Sequence, residues 1–219
     1  MRNNKTQYLT TVGMLCAIAY IFTLLGEVVP IRFGFLRYDP KDAIIVIAGF
    51  AMGPLASLVI SVIVAFLELI TISSTGFIGF GMNVIASASF ACIAALVYRY
   101  RRSVPWAVVG LILSSAVTVG AMILWNYLIT PWFMGESREV IAGMILPVFL
   151  PFNVIKCGLN TALALLLYKP CVQAMRRAGL IRARRGGAVN QSPVISMLIT
   201  LLAIALMGGM IALFIALKP

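Results

Sequence analysis

LPVFLPFNVIKCGLN, at residues 146–160, places a lysine inside an apolar run. Lys156 is the only charged residue from position 140 to position 168. A charge at the centre of a bilayer costs about 2.5–3.5 kcal/mol, so such a residue usually faces a protein interior or a cavity. Asn153, Lys156 and Asn160 are spaced i, i+3 and i+7, which places them on one helix face. We interpret this face as the polar wall of a ligand site.

Two prolines lie just before this polar face. Pro147 and Pro151 are expected to bend or unwind the helix, because proline lacks the backbone donor that a helix needs. Freed backbone at membrane depth is tolerated where it packs against protein or lines a cavity, which agrees with a ligand site. The alternative interpretation is that the Lys156 side chain extends along apolar surface until its ammonium group reaches the membrane interface.

The composition of the chain is that of a membrane protein. Hydrophobic residues make up 62% of the 219 residues, charged residues only 11%, and the mean hydropathy is +1.06. No soluble domain buries so much apolar surface, so we predict an all-α, polytopic membrane protein. The net charge of +11 does not indicate nucleic-acid binding, because most basic residues lie in a few short segments, as the positive-inside rule requires.

Several classes of function lack the residues that they need. The chain contains no histidine, which excludes a histidine metal site or a histidine-dependent catalytic triad. None of the four cysteines forms a CxxC pair, and we expect them to be small buried residues. The phosphate-binding loop GxxxxGK[ST] is absent, so the chain does not hydrolyse ATP itself. We therefore expect no enzymatic activity, no metal and no cofactor.

The apolar runs predict a six-helix bundle and a further C-terminal span. Runs long enough to cross about 30 Å of hydrocarbon lie at residues 8–25, 55–70, 80–98, 104–129 and 140–168, with outer loops at 71–79 and 130–139. The run 43–52 is too short to cross and ends at Gly53-Pro54. We expect that helix to begin within the membrane, and loop 26–41 to dip in to meet it. The last run, 193–217, is again long enough to span.

Polar residues from five helices are predicted to share one depth. At 1.5 Å of rise per residue, four of them fall in the outer third of the bilayer and a fifth lies at or just above that layer. In this order they are Asp42, Glu68, Asn83, Lys156 and Asn126. Lone polar residues scattered by accident would not agree in this way. Aromatic residues crowd the same side. Some of them must form an interfacial belt, and we expect the rest to line a pocket for a flat ligand.

The distribution of charge predicts the orientation. Basic residues cluster at 2–5, 99–102 and 169–185, which alternate as cytoplasmic segments do, whereas the intervening loops mix basic and acidic residues. We therefore predict a cytoplasmic N-terminus and a polar layer that opens to the outside. The basic tail is interpreted as a topology signal, and binding of anionic lipid is the alternative.

Four stretches together resemble a known family. They are LRYDPKDAIIVIAGFAMGP (36–54), TGFIGFGMNVIAS (75–87), WNYLITPWFM (125–134) and LPFNVIKCGLN (150–160). In this order and spacing they resemble the riboflavin-binding S-components, the substrate-capture subunits of energy-coupling-factor (ECF) vitamin transporters. The resemblance implies the six-helix S-component bundle in the cell membrane. It also implies riboflavin, captured from outside, as the transported ligand, and a T-component and two ATPase subunits as partners.

The resemblance also assigns roles to single residues. Asn153 and Lys156 match the flavin-contacting residues of the family's last helix, and Asn126 matches an asparagine at the outer end of its fifth. Loop 35–41 resembles the family's lid, and Gly13 and Ala17 resemble the small-residue face that docks the T-component. With the polar layer, the predicted substrate-binding residues are Lys156, Asn153, Asn126, Asn83, Glu68, Tyr38 and Asp39.

The sequence departs from the family in two places. The lid reads YDPK where the family is closer to DFSD, and the apolar run near the C-terminus is additional. We divide the chain into a binding domain at 1–178, a basic cytoplasmic linker at 179–192 and a further transmembrane helix at 193–219. We expect that helix to be peripheral and dispensable for ligand binding. An S-component for another vitamin or vitamin precursor is the alternative function; a membrane enzyme or assembly factor is a more distant one.

Overall fold

The chain folds into a bundle of helices with one very short β-hairpin. The computed structural model describes residues 4–28, 31–33, 36–180 and 193–217. In chain order its elements are α1 (Asn4–Val28), β1 (Arg32–Phe33), β2 (Leu36–Arg37), α2 (Lys41–Met52), α3 (Pro54–Thr71), α4 (Gly76–Arg101), α5 (Val104–Met134), α6 (Arg138–Met144), a π-helical turn (Ile145–Phe149), α7 (Leu150–Arg177) and α8 (Pro193–Leu217).

Six helical segments within the described ranges are long and apolar enough to cross a membrane. They are Lys5–Val28, Pro54–Thr71, Gly76–Arg101, Val104–Met134, Arg138–Arg177 and Val194–Leu217. The predicted all-α, polytopic architecture is thus confirmed. Linker residues 181–192 lie outside the described ranges.

Helix α2 occupies the centre of the bundle, where it packs against α1, α3, α4 and α7. Its twelve residues rise about 18 Å, too little to cross a bilayer, as predicted. Every residue from Lys41 to Gly49 is buried, because helices surround α2 on all sides. Its apolar residues form the main core together with residues of α1, α3, α4 and α7.

Two glycines allow α2 to meet α3. Gly53 has a φ of 106° and ends α2, and Pro54 opens α3 at a position where no helical donor is required. Gly49 lies so close to its neighbours that a Cβ there would lie 2.2 Å from Ser57 Oγ and 2.8 Å from Ala95 Cβ. The predicted turn between a short and a long helix is therefore present, and it is tightly packed.

Three loop regions differ from the prediction. Helix α4 begins at Gly76, and α5 continues to Met134 with Pro131 inside it, so the predicted outer loops are shorter. The prediction of a loop from residue 130 was wrong because a proline one turn before a helix end removes only one hydrogen bond. The predicted loop 26–41 contains a hairpin in which β1 and β2 pair antiparallel.

The backbone before α7 is irregular, as Pro147 and Pro151 predict. Residues Ile145–Phe149 form the π-helical turn, and the Leu150 N–H donates to the Ile145 carbonyl. Such wide turns occur frequently at functional sites. Phe149 is fully buried at the end of the turn, which anchors the start of α7 in the bundle.

Candidate functional site

A cavity of about 310 Å³ lies between helices α3, α4, α5 and α7 and the segment of residues 36–40. We call this segment, residues 36–40, the strap. Six of the seven predicted substrate-binding residues line it: Asp39, Glu68, Asn83, Asn126, Asn153 and Lys156. These residues come from different parts of the chain, and the estimate of a shared depth placed most of them together. The cavity also has hydroxyl groups at one edge, from Ser73, Ser74 and Thr75.

Helix α7 contributes an amide and an ammonium group to one cavity wall. Asn153 Nδ2 donates to the Phe149 carbonyl over 2.8 Å, which orients the side chain and leaves its second N–H and its carbonyl oxygen for a ligand. Lys156 Nζ lies 3.6 Å from Asp42 Oδ2, so its charge is paired within the bundle. Lys156 thus lines the cavity, and its side chain is only 13% exposed.

Asn160 fastens the strap to α7. Its Nδ2 donates to the Asp39 carbonyl over 3.0 Å, and its Oδ1 accepts from the Tyr38 hydroxyl over 3.2 Å. Tyr38 is buried and is absent from the cavity lining. The geometry therefore gives Tyr38 a different place from the one predicted, because its hydroxyl turns towards α7 and supports the strap from behind.

Two side chains of the strap, Tyr38 and Asp39, have shifted pKa values. Burial raises the pKa of Tyr38, and the nearby Asp39 and Asp42 carboxylates raise it further. Burial would also raise the pKa of Asp39, but the ammonium groups of Lys41 and Lys156 outweigh it and hold the pKa below its usual range. Tyr38 is thus a hydrogen-bond donor and Asp39 an ionised acceptor at neutral pH.

Lys41 is a fully buried charged side chain, and sequence reasoning did not select it. Its Nζ contacts Asp39 Oδ2 and lies 2.6 Å from Glu68 Oε1. Both carboxylates line the cavity, whereas Lys41 lies behind them. A signal was available in the sequence: the helix that Lys41 opens was predicted to begin at membrane depth, where a cation needs an acidic partner.

Glu68 joins four helices beneath the cavity. Besides Lys41 of α2, it accepts from Thr23 Oγ1 of α1 over 3.1 Å and from Asn83 Nδ2 of α4 over 2.6 Å. A buried charge needs several such partners to remain ionised. Asp42, which follows Lys41 directly in α2, accepts from the Ser87 hydroxyl in addition to pairing with Lys156.

Helix α5 provides an amide and an aromatic wall. Asn126 Nδ2 donates to the Met122 carbonyl over 2.7 Å, and its Oδ1 accepts from Thr130 Oγ1 over 2.9 Å. The neighbouring indole of Trp125 packs against Gly81, where a Cβ would lie 2.9 Å from Trp125 Cη2. Because glycine occupies this position, the edge of the indole ring approaches α4 closely, and Trp125 lines the cavity.

The predicted docking residues lie apart from the cavity. Gly13 and Ala17 are exposed on one side of α1, and a Cβ on Gly13 would meet nothing within 4 Å. Among the described residues, no group of three or more potential metal ligands is found. The cavity groups are hydrogen-bond donors, acceptors and aromatic rings, which suit binding of a polar, flat molecule.

Comparison with known proteins agrees with this architecture. Residues 7–168 match the family model of the ECF transporter substrate-specific component. The riboflavin transporter RibU of Staphylococcus aureus (strain TCH60) is 27% identical over 183 residues, which cover 81% of this chain and 95% of RibU. A solved S component of a bacterial ECF transporter superposes with a TM-score of 0.67 and 26% identity, over 80% of this chain and all of that one.

The family match extends over most of the chain, and it contains every residue that lines the cavity. Family members are membrane components that bind the transported substrate and are not enzymes, in agreement with the prediction. The chain belongs to the family of ECF transporter substrate-specific components.

Proposed function

We propose that this chain captures riboflavin from outside the cell and presents it to an ECF transporter. The observation that carries the proposal is the cavity, in which Asn126, Asn153 and Lys156 provide polar groups beside the flat ring of Trp125. The isoalloxazine ring of riboflavin has a uracil-like edge for such groups and a flat body for aromatic rings. Similarity to RibU supports the same ligand.

The remaining polar groups suit the ribityl chain. Its hydroxyl groups need several donors and acceptors, and the carboxylates of Asp39 and Glu68 and the amide of Asn83 line the same cavity. The volume of about 310 Å³ is at the lower end of the range for small-molecule sites, roughly 300–1,000 Å³. We infer that the strap moves outward to admit riboflavin and then covers it.

An absorption spectrum of the purified protein tests the ligand. Protein from cells grown with riboflavin should carry a yellow chromophore, and the ligand-free form should quench flavin fluorescence on titration. The variant Asn153→Ala/Lys156→Ala, prepared in the same way, is the matched control and should bind less flavin. A well-folded wild-type protein that neither carries nor quenches flavin would contradict riboflavin as the ligand and leave another vitamin.

We further propose a cytoplasmic N-terminus and the ECF partners, a T-component and two ATPase subunits. The last turns of α4 and α7 contain Arg99, Arg101, Arg176 and Arg177. These turns lie at the far end of each helix from Asn83 and Asn153, so the positive-inside rule supports a cavity that opens outward.

Enlarging the exposed side of α1 should separate binding from transport. The double variant Gly13→Leu/Ala17→Leu is expected to bind riboflavin with unchanged affinity and to lose uptake, because added bulk prevents close approach of a T-component helix. The measurements are flavin-fluorescence titration of the purified variant and uptake of labelled riboflavin by cells that depend on this transporter.

Helix α5 offers a matched control for this experiment. Ala116 and Gly120 have the same spacing, and both are exposed. Ala116→Leu/Gly120→Leu makes the same two changes on another face and should retain uptake. Normal uptake in the α1 variant would show that Gly13 and Ala17 are not a docking face, whereas loss only in the α5 variant would place docking on α5.

A further inference from the structure

Helix α8 lies beyond the part of the chain that matches the family, which ends at residue 168. Among its described side chains, residues 194–217, only Ala203 and Phe214 are buried. The buried and partly buried residues of the main core include none from this helix. The main core therefore forms without α8. The burial of Ala203 and Phe214 in α8 requires another explanation.

Helix α8 packs along α7 in the opposite direction. Lys169 Nζ donates to Ser196 Oγ over 3.0 Å at one end, and Met210 lies against Gly158 further along. A Cβ on Gly158 would lie 2.7 Å from Met210 Sδ, so glycine lets the Met210 side chain reach the α7 backbone. On α7, Gly158 faces away from Lys156, because residues two positions apart in a helix point about 200° apart around its axis.

Phe214 extends this contact to the cavity wall. It is 7% exposed and belongs to a second buried cluster, which also contains Leu36 and Tyr38 of the strap and Phe152 of α7. Leu36 and Phe152 line the cavity as well. Phe214 therefore belongs to the packing that supports two wall residues from behind, although none of the described α8 residues lines the cavity.

We propose that α8 is a brace for the ligand site, with Met210 and Phe214 as positioning residues that slow ligand release. The proposal rests on riboflavin as the ligand. Removing the Phe214 ring leaves a void in the buried cluster that contains Leu36 and Phe152, because packed interiors refill such space only in part. The two wall residues then gain freedom, and the strap opens more often. This proposal replaces the expectation, drawn from the sequence, that α8 is dispensable for binding.

Dissociation of riboflavin from the full-length protein tests the brace. The release rate is followed by recovery of flavin fluorescence after dilution into excess unlabelled competitor that does not fluoresce. Phe214→Ala should release riboflavin about fivefold faster than the wild type, since most effects of packing changes on affinity appear in the dissociation rate. Phe214→Leu, which keeps an apolar side chain, should restore most of the slow release, and Met210→Ala should accelerate release as well.

The neighbouring residue provides the matched control. Ile215 is 66% exposed, so Ile215→Ala removes a large apolar side chain from the same helix without touching the cluster, and its release rate should equal that of the wild type. Equal rates for Phe214→Ala and Ile215→Ala would overturn the proposal. So would release from Phe214→Leu as fast as that from Phe214→Ala, because a retained apolar side chain is expected to restore slow release. A wild-type protein that fails to bind riboflavin would instead overturn the proposed function.

Discussion

Lys41→Met is expected to destabilise the protein by about 3–5 kcal/mol, because it leaves two buried carboxylates without their cation. Lys41 has no exposed surface, and it lies between Asp39 and Glu68. Methionine fills a similar volume, so the loss reports the charge rather than packing. The measurement is unfolding of the purified protein by sodium dodecyl sulfate in mixed micelles. Riboflavin binding should be lost with the same substitution, because both carboxylates line the cavity.

Two further variants isolate the cause of this effect. Lys41→Met/Glu68→Gln removes one of the unpaired charges and should recover a large part of the stability, which a double-mutant cycle would measure. Arg37→Met breaks the ion pair with Glu27, whose two side chains are 34% and 30% exposed, and should cost under about 1 kcal/mol. Equal stabilities of Lys41→Met and Arg37→Met would refute the central role of Lys41.

Asn153→Ala and Lys156→Ala should each weaken riboflavin binding by roughly 1–3 kcal/mol, the range for leaving a buried polar partner unsatisfied. In affinity this is roughly a five- to 150-fold loss. Both side chains line the cavity from the same face of α7. Lys156→Ala also removes a cation from Asp42, which retains the Ser87 hydroxyl as a partner. Flavin-fluorescence quenching gives the affinity of each variant.

Gln173 serves as the control on the same helix. It lies near the C-terminal end of α7 and outside the cavity lining, so Gln173→Ala should bind riboflavin like the wild type. Wild-type affinity in both Asn153→Ala and Lys156→Ala would remove these residues from the ligand site. A loss in Gln173→Ala as large as theirs would show that the titration reports general damage to α7.

The helices were predictable because hydropathy determines them. Apolar length predicted the spans, and the Gly53-Pro54 turn predicted a short helix that meets a long one. The unpredicted parts depend on contacts between distant residues. Pro131 remains helical although a proline in sequence favours a loop, and the hairpin of β1 and β2 is too short to leave a periodic pattern.

The residues of the candidate site were predictable as far as their depth in the membrane determines which of them lie together. Counting residues along each helix predicted the layer to which Glu68, Asn83 and Lys156 belong, and the structure brings them to one cavity. Depth does not tell which way a side chain turns within a loop. Tyr38 was therefore assigned to the cavity although its hydroxyl bonds Asn160, and Lys41 was overlooked because its position at the end of a polar loop suggested an exposed charge.

The shortness of α2 has a consequence for biosynthesis. A twelve-residue helix with charges at its start does not partition into lipid by itself, so it must leave the translocon together with α3. Glu68 of α3 then supplies the counter-ion of Lys41. Asp42 has to wait for Lys156, which emerges from the ribosome only with α7. The Lys41–Glu68 pair thus forms as the N-terminal half inserts. The Asp42–Lys156 pair forms only after α7 has been synthesised, when the bundle closes.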